Sequence, residues 1–249
     1  MILPACGSFN QSGMYIKQLF FSLVVTSFIG AGYCQEVGTS YKTLKDFETE
    51  LRFGNARSVQ FSMGGSSSIT EGSEYLEENF VNGEILTSQS EHFTDIPMRY
   101  NAYKDEIEVK LQDSIIYGLT DPSKIQQILL KNKVLIHKDF YSENGKISGY
   151  LFVLYQGNSS LCCRNTKIFK ERIPSNGITP ETPARIIDKP REYYIQLKDE
   201  LPRIFSSKKD LLELLSSHSS EMKNFLKKEK VKLNRDEDLI KVLTYYDSL

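Results

Sequence analysis

Short apolar segments alternate with turn-forming residues from about Gly83 to Phe169, and this alternation limits the fold more than any other feature of the chain. In Glu106–Leu111 the charged and apolar residues occupy alternate positions, which predicts an antiparallel strand with one buried and one solvated face. Tyr150–Tyr155 is apolar at successive positions and predicts a strand buried on both faces, at the centre of its layer. The Asn144-Gly145 pair before it favours a hairpin turn.

Further strands are predicted by the same pattern through Ile96–Tyr100, Ser114–Leu119, Ile125–Leu130, Val134–Phe140 and Ser160–Phe169. Four prolines between residues 170 and 192 predict an irregular connection, after which Tyr193–Leu197 predicts a strand that returns to the sheet. Seven or so strands with short connections predict a mainly β fold, an antiparallel meander that forms a sandwich or a partly open barrel.

The last forty or so residues have helical periodicity instead. Ser207-x-x-Asp210 resembles a capping box at the start of a first helix, and apolar residues around Met222 mark a second. Asn234-x-x-Glu237 predicts the cap of a third helix, whose apolar residues are spaced for one face. The fold class is therefore α+β, mainly β with a C-terminal helical module.

An export signal is predicted near the start of the chain. Lys17 precedes an uncharged run from Leu19 to Ala31, and at about 1.5 Å per residue a helix of this length spans roughly 20 Å, less than a bilayer core of about 30 Å. A basic flank, a short apolar run and small residues after it are the parts of a secretory signal peptide, with cleavage before Gln35. A buried core helix is the alternative.

Two further alternatives stay open at this end of the chain. Translation starts at Met1 or at Met14, since Met14 lies just before the basic flank. Cys34 is either removed with the signal peptide or carries a lipid that anchors the protein to a membrane surface. Because the bulky Tyr33 precedes Cys34, the lipoprotein interpretation is the weaker one.

The predicted organisation has four parts. Residues 1–34 are the signal peptide, and residues 35–71 are a lead-in with a short helix and the GGSSS linker. Residues 72–206 are the antiparallel β domain, and residues 207–249 are the helical module.

Charge excludes one class of partner. The chain has 31 Lys and Arg against 32 Asp and Glu, a formal net charge of −1, so it lacks the basic footprint of a nucleic-acid-binding protein. Hydrophobic residues at 40% and charged residues at 25% are ordinary for a globular protein. We expect no transmembrane span in the mature chain.

Cleavage before Gln35 leaves Cys162 and Cys163 as the cysteines of the mature chain. Adjacent residues on a strand point to opposite faces, and a disulfide between them would be strained, so we expect two buried thiols. A vicinal thiol switch or a soft-metal site is the sharper alternative.

Catalytic, cofactor-binding and metal-binding residues are not predicted, and neither is a cofactor. His92, His137 and His218 fall in different elements, and the spacings of zinc sites and phosphate loops do not occur. Glu106 and Glu108 share one strand face about 7 Å apart, which suits the acid–base pair of a glycan hydrolase. The same spacing arises on any solvated strand face.

Three segments carry a resemblance to a known group of proteins: PMRYNAYKDEIEVK, GYLFVLYQG and the C-terminal series KKDLLELL, EMKNFLKKEKVK and EDLIKVLTYYDSL. In this order they resemble an uncharacterised family of small exported envelope proteins of Gram-negative bacteria. The similarity covers about Gly72 to Leu249 and begins at GSEYLEENF. It implies an envelope location, periplasmic or at the outer membrane, and a β fold with a helical tail. It implies no catalytic residue.

Three functions follow as hypotheses. The first is a non-enzymatic envelope protein that binds an envelope protein or a surface component, docking it on the helical module. The second is a periplasmic carrier of a lipid or small apolar ligand, with a cavity lined by Tyr117, Phe152 and Tyr155. The third is a hydrolase of envelope glycans that uses Glu106 and Glu108.

Overall fold

A computed structural model describes residues 41–47, 61–63, 71–111, 116–119, 122–175, 177–178 and 180–249, with backbone only for 61–63. The predicted signal peptide, Cys34, the GGSSS linker and most of the lead-in lie outside these residues. Of the predicted lead-in helix, residues 44–47 are described and are helical. Phe47 N donates to Thr43 O at 3.0 Å, and the Asp46 carboxylate accepts from Thr43 N at 2.7 Å.

Besides the helical residues 44–47, the described chain contains fourteen strands and three α-helices. The strands are β1 (Tyr41–Lys42), β2 (Phe61–Met63), β3 (Val81–Thr87), β4 (His92–Asn101), β5 (Glu106–Lys110), β6 (Ile116–Leu119), β7 (Ile125–Leu130), β8 (Lys133–Ser142), β9 (Gly145–Gln156), β10 (Ser159–Arg164), β11 (Lys167–Lys170), β12 (Arg185–Asp188), β13 (Glu192–Leu197) and β14 (Arg203–Phe205). The helices are α1 (Lys208–Leu214), α2 (Ser219–Lys228) and α3 (Asp236–Tyr246), and 3-10 turns span Pro122–Lys124 and Ser216–His218.

The main sheet follows the order β14-β13-β10-β9-β8-β7-β3-β4-β5-β6-β2, with β1 beside β4. β14 also pairs with β8, so that β8, β9, β10, β13 and β14 close into a five-stranded barrel. Tyr141 N donates to Pro202 O at 2.8 Å across the closing pair. The predicted mainly β architecture with C-terminal helices is confirmed, and the structure adds that part of the sheet closes on itself.

Side chains fill the interior of the barrel. Phe140, Leu151, Cys162 and Tyr194 are completely buried there, and the Phe140 and Tyr194 rings lie edge to face with centroids 4.8 Å apart. Partly buried aliphatic residues complete the packing: Ile136, Ile147, Val153 and Ile204. A barrel of five strands encloses little space, so large side chains from each strand suffice to occupy it.

The outer face of the barrel belongs to a second and larger core, in which the helical module takes part. Tyr150, Phe152 and Ile195 from the barrel strands cluster with Leu215 and Leu243 from the module. Seven apolar residues of the helical module are buried: Leu211, Leu215, Met222, Leu226, Leu239, Val242 and Leu243. The helices therefore pack on the β structure with their apolar faces turned inward.

The two cysteines lie as predicted. Cys162 belongs to the barrel interior and Cys163 to the outer core, and both are buried free thiols. Burial raises the pKa of each thiol to about 12. Both side chains thus stay protonated near neutral pH, as expected for structural cysteines.

Several local predictions are wrong. The single strand predicted over Ser160–Phe169 is two strands, β10 and β11, which belong to different sheets. The third helix begins at Asp236 with Arg235 as its N-cap residue, not at an Asn234 cap, and no side chain caps it. Instead the Asp238 carboxylate accepts from Lys232 N at 2.9 Å, which fixes the preceding turn in another way. The connection over 170–192 is also more regular than predicted, because β11 and β12 form a separate two-stranded ribbon. This ribbon and the described residues between its strands are called the arm below.

Candidate binding cleft

A cleft of about 1120 Å³ lies between the barrel and the helical module. One wall comes from the end of β8, the β9–β10 turn, β13, β14 and the loop that joins these last two strands. The other wall comes from α1, the Ser216–His218 turn and the end of α3. Because the walls belong to separate parts of the sequence, the cleft exists only while the helical module is docked.

Asp247, just after α3, fastens the module at the edge of the cleft. Its carboxylate accepts from the Tyr155 hydroxyl at 3.0 Å and from Ser159 N at 3.1 Å. Gly157 makes this approach possible, because a Cβ at that position would overlap the Asp247 carboxylate. The end of the helix is therefore fixed against the β9–β10 turn by charge-assisted hydrogen bonds.

Asp236 supplies a second attachment at the other end of α3. Its carboxylate accepts from Arg191 Nη1 at 2.6 and 2.9 Å and from the Tyr193 hydroxyl at 2.7 Å. Burial, and then the hydrogen bond to Asp236, raise the pKa of Tyr193 to about 12. Both ends of the helix are thus joined to the strand side of the cleft, which sets the distance between the walls.

The capping box predicted at Ser207-x-x-Asp210 is present and lies at the cleft. The Ser207 hydroxyl accepts from Asp210 N at 3.1 Å, and the Asp210 carboxylate accepts from Ser207 N at 2.9 Å. Hydrogen bonds from Ser207, followed by that from Ser206 N, lower the pKa of Asp210 to about 2. The start of α1 is therefore held firmly as part of one wall.

The lining of the cleft combines both charges with aromatic and hydroxyl groups. Lys198 and Arg203 face the same space as Glu200 and Glu213. The Arg203 guanidinium lies 5.5 Å from the centre of the Tyr141 ring, whose residue is 41% exposed. Tyrosine and arginine are enriched in protein–protein interfaces, and the many charged groups differ from the mostly apolar lining of a small-ligand pocket.

The serines of the cleft do not form a nucleophile–base pair. Ser217 Oγ lies 2.7 Å from the Tyr246 hydroxyl, and Ser142 Oγ donates to Gly145 O at 3.0 Å. In the described part of the chain, no histidine hydrogen-bonds to a serine of the cleft. The hydroxyls of Ser142 and Ser217 thus take part in hydrogen bonds within the protein.

Glu106 and Glu108, the predicted acid–base candidates, lie outside the cleft, and Glu108 is only 2% exposed. Arg99 donates to Glu108 Oε2 from Nε at 2.9 Å and from Nη2 at 2.7 Å. The Arg99 guanidinium stacks 3.5 Å from the centre of the Tyr75 ring. The prediction of a solvated face at Glu108 is therefore wrong, because Arg99 and Tyr75 cover it.

Glu106 is half-buried beside Glu108. Burial, and then the neighbouring Glu108 charge, raise its pKa. Its side chain occupies the space over Gly118 that a Cβ there would fill. Glu106 on β5 therefore packs against the backbone of the neighbouring strand β6.

The three residues predicted to line a carrier cavity are used in packing and hydrogen bonding. Phe152 is buried in the outer core, and Tyr117 packs against the edge of that core. The Tyr155 hydroxyl is used in the bond to Asp247. Since the barrel interior is filled as well, the described residues give the carrier hypothesis no support.

The histidines are separated, as the sequence predicts. His92 Nε2 lies 2.8 Å from Glu84 Oε2, the His137 ring packs 5.0 Å from the Tyr150 ring, and the His218 ring packs on Tyr246. Among the described residues, no three His, Cys, Asp or Glu side chains are grouped so that they could hold a metal ion. Within the same residues, no helix has the length and apolar character needed to cross a membrane.

Sequence reasoning missed the cleft and its anchoring residues. Asp247 and Ser159 lie 88 positions apart, and no local pattern marks either of them. Asp236 was part of the predicted third helix, but its contact with Tyr193 spans 43 positions.

Comparison of the chain with family models, curated proteins and solved structures gives no match.

Proposed function

We propose that this protein is an exported, non-enzymatic envelope protein whose cleft binds a segment of a partner protein. The observation that carries the proposal is the cleft itself, formed by two walls that Asp236 and Asp247 hold together. Its volume of about 1120 Å³ is slightly larger than the usual range of about 300 to 1,000 Å³ for small-molecule sites. A segment of several residues fits such a volume.

The lining supports a peptide rather than an apolar molecule. Glu213 and Lys198 offer opposite charges, Tyr141 an exposed aromatic face, and Ser216 and Ser217 hydroxyl groups. Polypeptide presents amides, charges and side chains in close succession, and such a surface can satisfy them together. A lipid tail would leave most of these groups without a hydrogen-bonding partner.

The proposed cleft extends the docking site predicted on the helical module, because strands of the barrel form one of its walls. Docking on the apolar face of the helical module would require residues such as Leu215, Met222 and Leu243, and these are buried in the protein's own core. The module contributes instead through its polar residues at the cleft, among them Glu213 and Ser217.

Photo-crosslinking in the exporting cell tests the proposal. A photoreactive amino acid is placed at Glu213, which is exposed in the cleft, or at Glu237, which is exposed on α3 and does not line it. We expect the Glu213 position to crosslink to one defined protein and the Glu237 position to give no such product. Equal products from both positions, or none from either, would contradict the proposal. Crosslinks to lipid alone would favour the carrier hypothesis.

A further inference from the structure

The arm carries a surface that the proposed function does not use. β11 and β12 pair from Lys167 opposite Asp188 to Lys170 opposite Arg185. Beyond them, Ile173 and Thr182 exchange two backbone hydrogen bonds of 2.9 Å, and Arg172 pairs with Glu181 at 2.8 Å. The ribbon therefore continues beyond its two strands toward a hydrogen-bonded tip.

The base of the arm is fixed to the body of the protein. Lys167 N donates to Ala102 O at 3.0 Å, and Ile186 N donates to Glu71 O at 3.0 Å. Gly72 has a φ of +84°, and a Cβ there would overlap the carbonyl of Ile186. A two-stranded ribbon is marginal alone, so these contacts explain how it holds its shape.

The tip presents aliphatic side chains to solvent. Ile173 is 62% exposed and Ile178 is 92% exposed, and Phe169 near the end of β11 is 43% exposed. Of the seven large exposed hydrophobic residues in the described chain, these three belong to the arm. They are single side chains on a narrow ribbon, and insertion of apolar side chains at the boundary between headgroups and acyl chains is one way in which a protein binds a bilayer.

Two cations at the base of this tip face each other. Lys170 and Arg185 are directly paired across the ribbon, and both are exposed. Within the described part of the chain neither forms an ion pair, and like charges in this position repel. From Lys170 to Arg185 the sequence holds three basic and two acidic residues, a positive balance in a chain whose net charge is −1. An anion between the two cations would relieve the repulsion.

We propose that the arm binds a lipid bilayer rich in anionic headgroups. Ile173 and Ile178 enter the interface between headgroups and acyl chains, while Lys170 and Arg185 contact headgroup phosphates. Apolar insertion combined with basic contacts is the physical basis of peripheral membrane binding. The residues of the arm do not line the cleft, so the two proposed contacts use different residues.

The sequence provides a clean probe, because the chain contains no tryptophan. Ile178→Trp places a single indole at the tip, and Leu249→Trp places one at another exposed aliphatic position as the matched control. The full chain, as purified from the exporting cell, is titrated with vesicles of phosphatidylcholine alone or mixed equally with phosphatidylglycerol. We expect Ile178→Trp to shift its emission to the blue with the mixed vesicles and Leu249→Trp to keep its emission wavelength.

Cosedimentation with the same vesicles separates the contribution of apolar insertion from that of the basic contacts. Ile178→Asp should lower the vesicle-bound fraction about tenfold, as expected for one large aliphatic side chain withdrawn from the lipid. Lys170→Gln with Arg185→Gln should remove the preference for phosphatidylglycerol, at roughly fivefold for each cation. Leu249→Asp, which makes the same change in charge as Ile178→Asp, should leave vesicle binding unchanged. Absence of binding to either vesicle, or binding that Ile178→Asp does not change, overturns the proposal. A blue shift with a purified partner protein but without vesicles overturns it too and assigns the arm to that protein.

Discussion

The helical module and the arm both lie beside the barrel, and both carry apolar side chains, but they use them in opposite ways. The module buries Leu215, Met222 and Leu243 against the outer face of the barrel. The arm leaves Ile173 and Ile178 exposed. Hydrophobic content alone therefore does not identify a binding surface, because the same residue types are buried in the helices of the module and exposed on the arm.

The difference arises from local geometry. An amphipathic helix places its apolar residues on one stripe, so a whole element can turn that stripe toward a core. In the arm, Pro174, Pro180 and Pro183 prevent a helix, and a ribbon of two strands has no second layer to cover its side chains. The module is part of the folding unit, whereas the tip of the arm is an appendage to it.

The largest change in stability should come from a buried residue of the module. Leu243→Ala removes a fully buried side chain from the outer core and should lower the free energy of unfolding by about 2 to 5 kcal/mol. Ile173→Ala in the arm should change it by less than about 0.5 kcal/mol. Urea unfolding followed by circular dichroism measures both. Equal losses in the two variants would show that the arm is as integral to the core as the module.

A smaller effect is expected at the polar attachment of the module. Asp236→Asn weakens the bonds from Arg191 and Tyr193 and should lower stability by about 1 kcal/mol, since both charges are partly exposed. The pKa of Tyr193 should also fall from about 12 toward the ordinary value of 10.0. The matched change in the arm is Asp188→Asn, which removes the ion pair with Lys167 and should have little effect. Ultraviolet titration of tyrosine would contradict the attachment if Asp236→Asn left every transition in place.

The labelling rates of the two cysteines distinguish opening of the module from opening of the barrel. Both thiols have a pKa of about 12 and should resist a thiol reagent in the native protein at neutral pH. Leu243→Ala should raise the labelling rate of Cys163, which faces the outer core, by about tenfold or more, and that of Cys162 by much less. Mass spectrometry of labelled peptides measures each rate. Parallel increases at both cysteines would mean that barrel and module open together.

The smallest effect concerns pH. The pKa of Asp210 is about 2 in the folded protein against an ordinary 3.8, so its capping bonds stabilise the fold fully above about pH 4 and are lost as pH falls toward 2. Asp210→Asn should therefore lower stability at neutral pH, and the two proteins should converge near pH 2. Thermal melts between neutral pH and about pH 2 measure how the stability difference between the wild type and Asp210→Asn changes with pH. A difference that grows with falling pH would contradict the role of Asp210 as an ionised cap.

Local patterns predicted most of the elements. The Asn144-Gly145 turn, the Ser207 capping box and the opposite faces of Cys162 and Cys163 all depend on near neighbours in sequence. The failures depend on distant ones. Glu108 is buried because Arg99 and Tyr75 cover it, 9 and 33 positions away.

The candidate site was harder to predict than the fold. Barrel closure joins Tyr141 to Arg203, and the cleft requires Asp247 to reach the β9–β10 turn. The arm was likewise not predicted. Its prolines indicate an irregular connection, and they do not show that β11 and β12 pair into a ribbon. Such contacts are set by tertiary packing, which periodicity and capping signals do not describe.

The cleft as the site of partner binding is tested most directly by native mass spectrometry of the protein purified gently from the cell that makes it. The wild type, Glu213→Lys and Glu237→Lys are compared, so that the same charge reversal falls inside and outside the cleft. We predict a defined protein complex for the wild type and for Glu237→Lys, and a monomer for Glu213→Lys. A complex that is equally abundant in all three proteins would contradict the cleft as the binding site. A wild-type monomer carrying a few hundred daltons of extra mass would contradict protein binding itself.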